Sequence, residues 1–344
     1  MASKEQKKLL VISGPTASGK SKLAFYLAKK LNSEIVSADS VAVYKEFNIG
    51  TDKPSKSQLE EVPHHLINVL TPKEKCTVSF FCKEALKILD SLCLNHKIPI
   101  LSGGTTLYIS SLINGLTHLP TNKELRKELE STDTKELYQR LTKIAPKTAV
   151  SLHPNDKVRI VRALEVALLT KKEPKDILKE GEKEKFSGAV LILVLFWRRD
   201  ELHQRIKART VGMIEKGLIN EVEEIVLKWG ESLHPLNSVG YREVLQFLRG
   251  KIKSKEELIE KISAATRRLA RHQMIFWRNE PKKRDYKIIP LQNDSSYPLI
   301  GCEAGEDRLK RKREGVRVLS LNKESLLKYL KDALENLESD SKVV

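Results

Sequence analysis

Leu10-Val-Ile-Ser-Gly-Pro-Thr-Ala-Ser-Gly-Lys-Ser-Lys-Leu-Ala24 carries an apolar run into a helix-like one through the octet Gly14-Pro15-Thr16-Ala17-Ser18-Gly19-Lys20-Ser21. The G-x-x-x-x-G-K-S spacing, between a strand-like and a helix-like segment, is that of a phosphate-cradling loop. Gly14 and Gly19 allow backbone geometries in which successive N–H groups point at one phosphate. Lys20 adds a positive charge, the helix N-terminus after Ser18 adds its dipole, and the Ser21 hydroxyl is placed to hold Mg²⁺. The octet specifies a polyphosphate with magnesium, and leaves open which one.

Outward from the loop, apolar runs at Leu9–Ser13, Glu34–Ser37, Ile98–Ser102 and Val190–Phe196 read as buried strands. Helical stretches such as Lys20–Leu31 and Val78–Leu94 separate them. Strands alternating with helices imply a parallel sheet covered on both faces. Between Thr117 and Lys185 no strand stands out; Asn122–Glu130, Thr134–Ile144 and Asp156–Thr170 read as amphipathic helices inserted between two strands. Further helices are expected at Glu201–Trp229, Val239–Leu248 and Lys255–Arg278, the last capped by Ser254. Beyond Asp285, residues 293–315 read as a loop with the basic run Arg308–Arg313, followed by a strand at Val316–Leu319 and a helix at Lys323–Leu337. The expected fold is α/β: a P-loop NTPase-like parallel sheet core in two parts, 1–116 and 187–290, a helical insertion at 117–186, and a basic C-terminal extension at 291–344.

Composition narrows the partners. A net charge of +17 over 344 residues favours a polyanion, such as nucleic acid. The four cysteines, Cys76, Cys82, Cys93 and Cys302, have no metal-site or disulfide-framework spacing, which suits a reducing cytosol. No apolar run reaches membrane-spanning length, so a cytoplasmic protein with no membrane partner is expected.

An NTPase also needs an acidic residue at the end of a second strand and a group to orient water. Ile98–Leu101 runs instead into Ser102-Gly103-Gly104, and Val190–Phe196 into Trp197-Arg198-Arg199. The best-placed carboxylate is Asp39, in Ser33-Glu-Ile-Val-Ser-Ala-Asp-Ser40, at the end of the second strand. Sites of open α/β sheets lie at that edge, where Asp39 could hold a metal or act as a general base. A plain cap on the following segment is the competing reading. His64-His65 are adjacent and so point apart, which favours a structural role over a metal pair.

The loop, Ser37-Ala-Asp-Ser40 with Tyr44, Ile49-Gly-Thr-Asp-Lys-Pro54, Val62-Pro-His-His-Leu-Ile67 and Gly103-Gly-Thr-Thr-Leu-Tyr108 follow one another in order. Asp156-Lys-Val-Arg-Ile-Val-Arg-Ala-Leu-Glu-Val166, Gly240-Tyr-Arg242 and Arg267-Arg-Leu-Ala-Arg-His-Gln273 continue the series. Together, over about residues 9–280, they resemble the tRNA dimethylallyltransferases.

The resemblance implies transfer of a dimethylallyl group from dimethylallyl diphosphate, with Mg²⁺, to N6 of adenine 37 beside the tRNA anticodon. An allylic diphosphate poses the same polyphosphate problem as ATP, so the loop can be reused. By the resemblance Asp39 is the base and Thr105 a polar contact in the reaction channel, while Arg209 contacts the diphosphate with Gly14–Ser21. It also places Asp39, Ser40, Val41, Ala42, Thr105, Arg126, Arg159, Ile160, Val161, Arg162 and Ala163 against tRNA. Arg159 and Arg162, three apart, are expected on one helix face. Arg267, Arg271 and Arg278 form a basic stripe on the last long helix.

The chain departs from the family pattern at Ala42, where Gln is common, at Asp52, commonly Ala, and at Val211, often Asp. The start of the insertion is reduced to Leu119-Pro-Thr-Asn122. A monomer that binds the anticodon stem-loop of tRNA is expected. The alternatives are a P-loop nucleotide kinase, a prenyltransferase acting on free AMP or ADP, and a non-catalytic P-loop RNA-binding module.

Overall fold

A computed structural model describes residues 7–180, 184–280 and 287–292, with positions 327, 328, 330 and 332. The chain divides into two compact units, Met1–Ile113 with Ser187–Val344, and Asn114–Phe186.

In the first unit the order is β1 (Lys8–Ser13), α1 (Lys20–Lys30), β2 (Ile35–Ser37), α2 (Lys56–Glu61), β3 (His64–His65), α3 (Val78–Leu94), β4 (Ile100–Ser102) and α4 (Thr106–Asn114). Within the second unit follow α5 (Lys123–Ser131), α6 (Thr134–Ile144), α7 (Pro146–Ala149), α8 (Lys157–Thr170) and α9 (Pro174–Glu180). The first unit resumes with β5 (Ala189–Phe196), α10 (Arg199–Glu215), α11 (Leu218–Trp229), a 3₁₀ turn at His234–Asn237, α12 (Tyr241–Leu248), α13 (Lys255–Asn279) and β6 (Lys287–Gln292).

The strands form a six-stranded sheet in the order β3-β2-β4-β1-β5-β6, with every pairing parallel. Val11 in β1 lies opposite Leu101 of β4 and Ile192 of β5. Leu9–Ile12 and Leu191–Val194 are almost fully buried, as continuous apolar runs in a doubly covered parallel sheet should be. One covering helix, α1, turns Ala24, Leu27 and Ala28 inward. Another, α3, starts at Thr77, whose hydroxyl accepts from the Phe80 N–H, and buries Phe81, Ala85, Leu89 and Leu92. The Ser254 cap is present, accepting from the Glu257 N–H at 3.1 Å.

The structure corrects several elements. The single helix expected over Glu201–Trp229 breaks into α10 and α11 at Gly217, whose φ of +96° no other residue type adopts cheaply. The helix expected from Val239 begins at Tyr241, after Gly240 at φ +93°. Lys287–Gln292, given no element from sequence, is the edge strand β6, and Pro290 fits an edge position. The strand at Val316–Leu319, the loop at 293–315 with Arg308–Arg313, and Cys302 lie outside the described residues. Of the helix at Lys323–Leu337 four positions are described, all helical, and Leu330 packs into the sheet's core.

The second unit is all helical, with Leu129, Leu137, Leu141, Ile160, Leu164 and Ala167 at its centre. Glu165 is also fully buried there. It accepts from the Asn122 N–H at 2.9 Å, from Arg126, and from Arg162 Nη1 at 2.6 Å. Burial pushes its carboxyl up, but the hydrogen bonds from Arg126, Asn122 and Arg162 outweigh that and hold it below the usual range. Glu165→Gln leaves both guanidinium groups short of an anion, so this unit should lose about 2 kcal/mol. Hydrogen exchange should quicken in α5 and α8 and stay unchanged in α1 and α3; equal protection in all four helices would contradict this.

Candidate active site

The phosphate loop starts where β1 ends, between β4 and β5, and little space remains around it. A Cβ on Gly14 would stand 2.7 Å from the Leu195 carbonyl oxygen. Side chains from elsewhere hold the loop's outer surface. The indole N–H of Trp197 donates to the Ser18 carbonyl at 2.8 Å, and Arg205 Nε to that of Ala17 at 2.9 Å, its guanidinium lying 4.1 Å from the Trp197 ring centroid. Arg209 Nη1 donates to Thr16 Oγ1 at 2.6 Å. The Thr16 N–H donates to Gln273 Oε1 at 2.9 Å.

The ends of β2 and β4 are woven beside it. The Ala38 N–H donates to the Ser102 carbonyl at 2.8 Å, and the Thr105 N–H to that of Ala38 at 3.2 Å. A Cβ on Gly103 would fall 2.2 Å from the Ala38 carbonyl oxygen, so only glycine fits. Past this contact Asp39 Oδ1 accepts from the N–H groups of Val41 at 2.8 Å and Ala42 at 3.0 Å. No helix follows Asp39, so it caps none; its two bonds close a turn over residues 39–42 and fix the carboxylate's direction. Thr105 Oγ1 accepts from the Ser40 N–H at 3.2 Å, which joins the two turns.

The segment after Ala42 is held by Glu221 and Tyr241. Glu221 accepts from the N–H groups of Asn48, Ile49 and Gly50 at 2.9, 2.7 and 3.2 Å, and from the Tyr241 hydroxyl at 2.8 Å. A Cβ on Gly50 would lie 2.5 Å from the Tyr241 ring. Lys53 Nζ donates to the Tyr44 carbonyl at 2.5 Å and to Asn68 Oδ1 at 2.6 Å.

These elements line one cavity of about 430 Å³, which includes Thr16, Ala17, Gly19, Lys20, Ser21, Asp39, Ala42 and Arg209. Lys20, Lys53, Arg205 and Arg209 face Asp39 and Asp52 there, an excess of positive charge suited to a polyanion. Burial, and after it the Arg209 guanidinium, lowers the Lys20 ammonium to about 8, with Asp39 opposing the shift. Burial takes Lys53 to about 8 as well, against Glu221 and Asp39. Asp52 lies 3.4 Å from Arg209 Nε, so this departure from the family pattern sets a carboxylate beside the arginine expected to contact the diphosphate. Ser21 offers a metal one hydroxyl. Among the described residues no group of three or more His, Cys, Asp or Glu could hold a metal unaided.

Other expected residues sit differently. Gly14, Pro15 and Ser18 are buried beneath the loop's surface. In the second unit Arg159 is exposed while Arg162 turns to Glu165 and to the carbonyls of Pro120 and Leu119, so the two do not present one shared face. Arg126 is likewise committed to Glu165. Ile160, Val161 and Ala163 are buried, so their side chains pack rather than touch a ligand. His65 pairs with Glu34 at 2.6 Å and His64 Nδ1 lies 2.7 Å from the Val62 carbonyl. On α13, Arg271 and Arg278 are exposed, but Trp277 is core.

Comparison with known proteins agrees with this architecture. Residues 42–280 match the IPP transferase family and residues 7–69 an isopentenyl transferase family. The chain belongs to the IPP transferase family. It is 41% identical over 283 residues to tRNA dimethylallyltransferase 1 of Citrifermentans bemidjiense, covering 81% of this chain and 92% of that one. It is also 41% identical to the tRNA dimethylallyltransferase of Acetivibrio thermocellus, over 82% of this chain and 95% of that one. Among solved structures, the tRNA isopentenylpyrophosphate transferase of Bacillus halodurans superimposes with a TM-score of 0.64 at 29% identity, covering 98% of this chain and 99% of that one. A eukaryotic dimethylallyltransferase acting on tRNA superimposes at 0.73 and 27% identity, over 96% of this chain and 84% of that one. No described helix is long and apolar enough to cross a membrane.

The lowered Lys20 sets a pH dependence. Deprotonation removes the charge that meets an anion, so affinity for inorganic diphosphate should fall as pH rises through about 8, approaching tenfold per unit. Calorimetric titration of the wild type and of Lys20→Arg checks this: the arginine variant keeps its charge and should lose the alkaline limb. Constant wild-type affinity across that range would contradict it.

Proposed function

We propose that this chain transfers the dimethylallyl group of dimethylallyl diphosphate to N6 of adenine 37 in the anticodon stem-loop of tRNA, with Asp39 as general base. The observation that carries the reading is the Asp39 carboxylate, fixed by two N–H bonds on the same cationic cavity as Lys20 and Arg209. Neither strand flanking β1 supplies the acidic residue an NTPase needs: β4 runs into Gly103-Gly104 and β5 into Trp197-Arg198. The prenyl-transferase names of the relatives point the same way.

The C1–O bond of the allylic diphosphate breaks as the C1–N6 bond forms, and the N6 proton passes to Asp39. Oδ1 is held by Val41 and Ala42, which leaves Oδ2 to take that proton. Negative charge growing on the departing diphosphate meets Lys20 and Arg209, which line the same cavity and are already in place before the charge forms. Mg²⁺ bound with the diphosphate at Ser21 would neutralise part of that charge. Thr105 keeps the Asp39 turn in place through Ser40 rather than through the substrate.

Adenine 37 must leave the stack of the anticodon loop to reach the carboxylate, as other modified bases do. Exposed Arg159, Arg271 and Arg278 are suited to phosphate contacts. We read the protein as a cytoplasmic monomer.

Purified protein with Mg²⁺, dimethylallyl diphosphate and an unmodified stem-loop carrying adenines at 36 and 37 should yield isopentenyladenosine on mass spectrometry of the digested RNA. Asp39→Asn should cut the rate about 10²–10⁴-fold and leave RNA affinity within about twofold. ATP consumption without an RNA product would favour the kinase reading instead.

A further inference from the structure

We propose that Gln273 is a positioning residue that fixes the distance between the phosphate loop and the Gly103–Thr105 turn. Through them it fixes the distance between the diphosphate and the Asp39 carboxylate. The inference rests on the prenyl-transfer reading above. Gln273 sits on α13 and is 6% exposed. Its Oε1 accepts from the Thr16 N–H at 2.9 Å while its Nε2 donates to the Gly104 carbonyl at 2.8 Å. One planar amide therefore ties the donor-binding loop to the turn that carries Thr105. Glutamate lacks the donor for Gly104, and methionine lacks both groups.

The fit is close on the Gly104 side. A Cβ there would stand 2.5 Å from Nε2 of Gln273 and 3.5 Å from Nζ of Lys20. Gly104 is thus the opening through which the amide and the lysine reach the same turn. Trp277, one helical turn on, repeats the attachment: its indole N–H donates to Ser13 Oγ at 3.0 Å, and that hydroxyl donates to the Gly103 carbonyl at 2.9 Å. Two residues of α13 thus hold the ends of β1 and β4.

The Thr16 bond bears on catalysis because Thr16 is also where Arg209 docks, through Oγ1 at 2.6 Å. When Gln273 is lost, the Thr16 N–H is left without its partner, and both the loop and its arginine are free to shift. A loop displaced by an ångström costs orientation at the reacting carbon as well as affinity. A residue serving packing alone would lower thermal stability and leave the kinetic constants of the folded fraction unchanged.

The test uses the full chain with dimethylallyl diphosphate, Mg²⁺ and the stem-loop. Gln273→Met should raise KM for dimethylallyl diphosphate about tenfold and lower kcat about tenfold, with KM for the RNA within about twofold. Gln273→Glu keeps an acceptor for Thr16 and brings a negative charge towards Lys20, so it should raise the donor KM further. It also serves as the test if the methionine variant does not fold. An active wild type with an unchanged donor KM in the folded variants would overturn the inference alone. A wild type that makes no isopentenyladenosine would overturn both the inference and the reading beneath it.

Discussion

A missing methyl group governs the cavity. Gly103 passes so near the Ala38 carbonyl that a Cβ would lie 2.2 Å from that oxygen. Because the ends of β2 and β4 meet at this distance, the Thr105 N–H reaches Ala38, the Thr105 hydroxyl reaches Ser40, and Asp39 is set between them. The same turn continues into Gly104, where Gln273 attaches it to the phosphate loop. Asp39 and the Gly14–Ser21 loop are thus parts of one hydrogen-bonded weave. A side chain at either glycine would force the parts of that weave apart.

Charge in the cavity is arranged to meet an anion, which on the proposed reading is a leaving group. Lys20 is kept at about 8 by burial and by Arg209, a state that favours giving it an anion to meet. On the proposed reading, the positive charge that costs most in the free protein gains most as diphosphate departs, which is how pre-organised groups lower a barrier. Asp52 modifies this balance by engaging Arg209 from the rim.

Much of this was legible in the residues. The octet from Gly14 to Ser21, the strand runs and Asp39 all follow local rules of spacing and period, and the structure places them together. What escaped is carried by contacts distant in sequence. Gln273 lies 257 positions from Thr16, and Glu221 lies 173 from Asn48, so no window of sequence joins them. Arg126 and Arg162 read as surface cations because their partner, Glu165, looks like any other glutamate on an amphipathic helix until its burial is known. The break at Gly217 is hidden in the sequence because the apolar period runs on across it, and β6 because it is a short edge strand containing a proline.

The central claim is that one carboxylate, Asp39, faces the acceptor amine across a diphosphate-filled loop. It is tested most directly by a crystal structure of the protein with the anticodon stem-loop and a non-transferring thiolo analogue of dimethylallyl diphosphate. The account predicts the analogue's phosphates on Gly14–Ser21 and N6 of adenine 37 within about 2.6–3.2 Å of an Asp39 carboxylate oxygen. An N6 out of reach of Asp39, with another basic group beside it, would contradict the account.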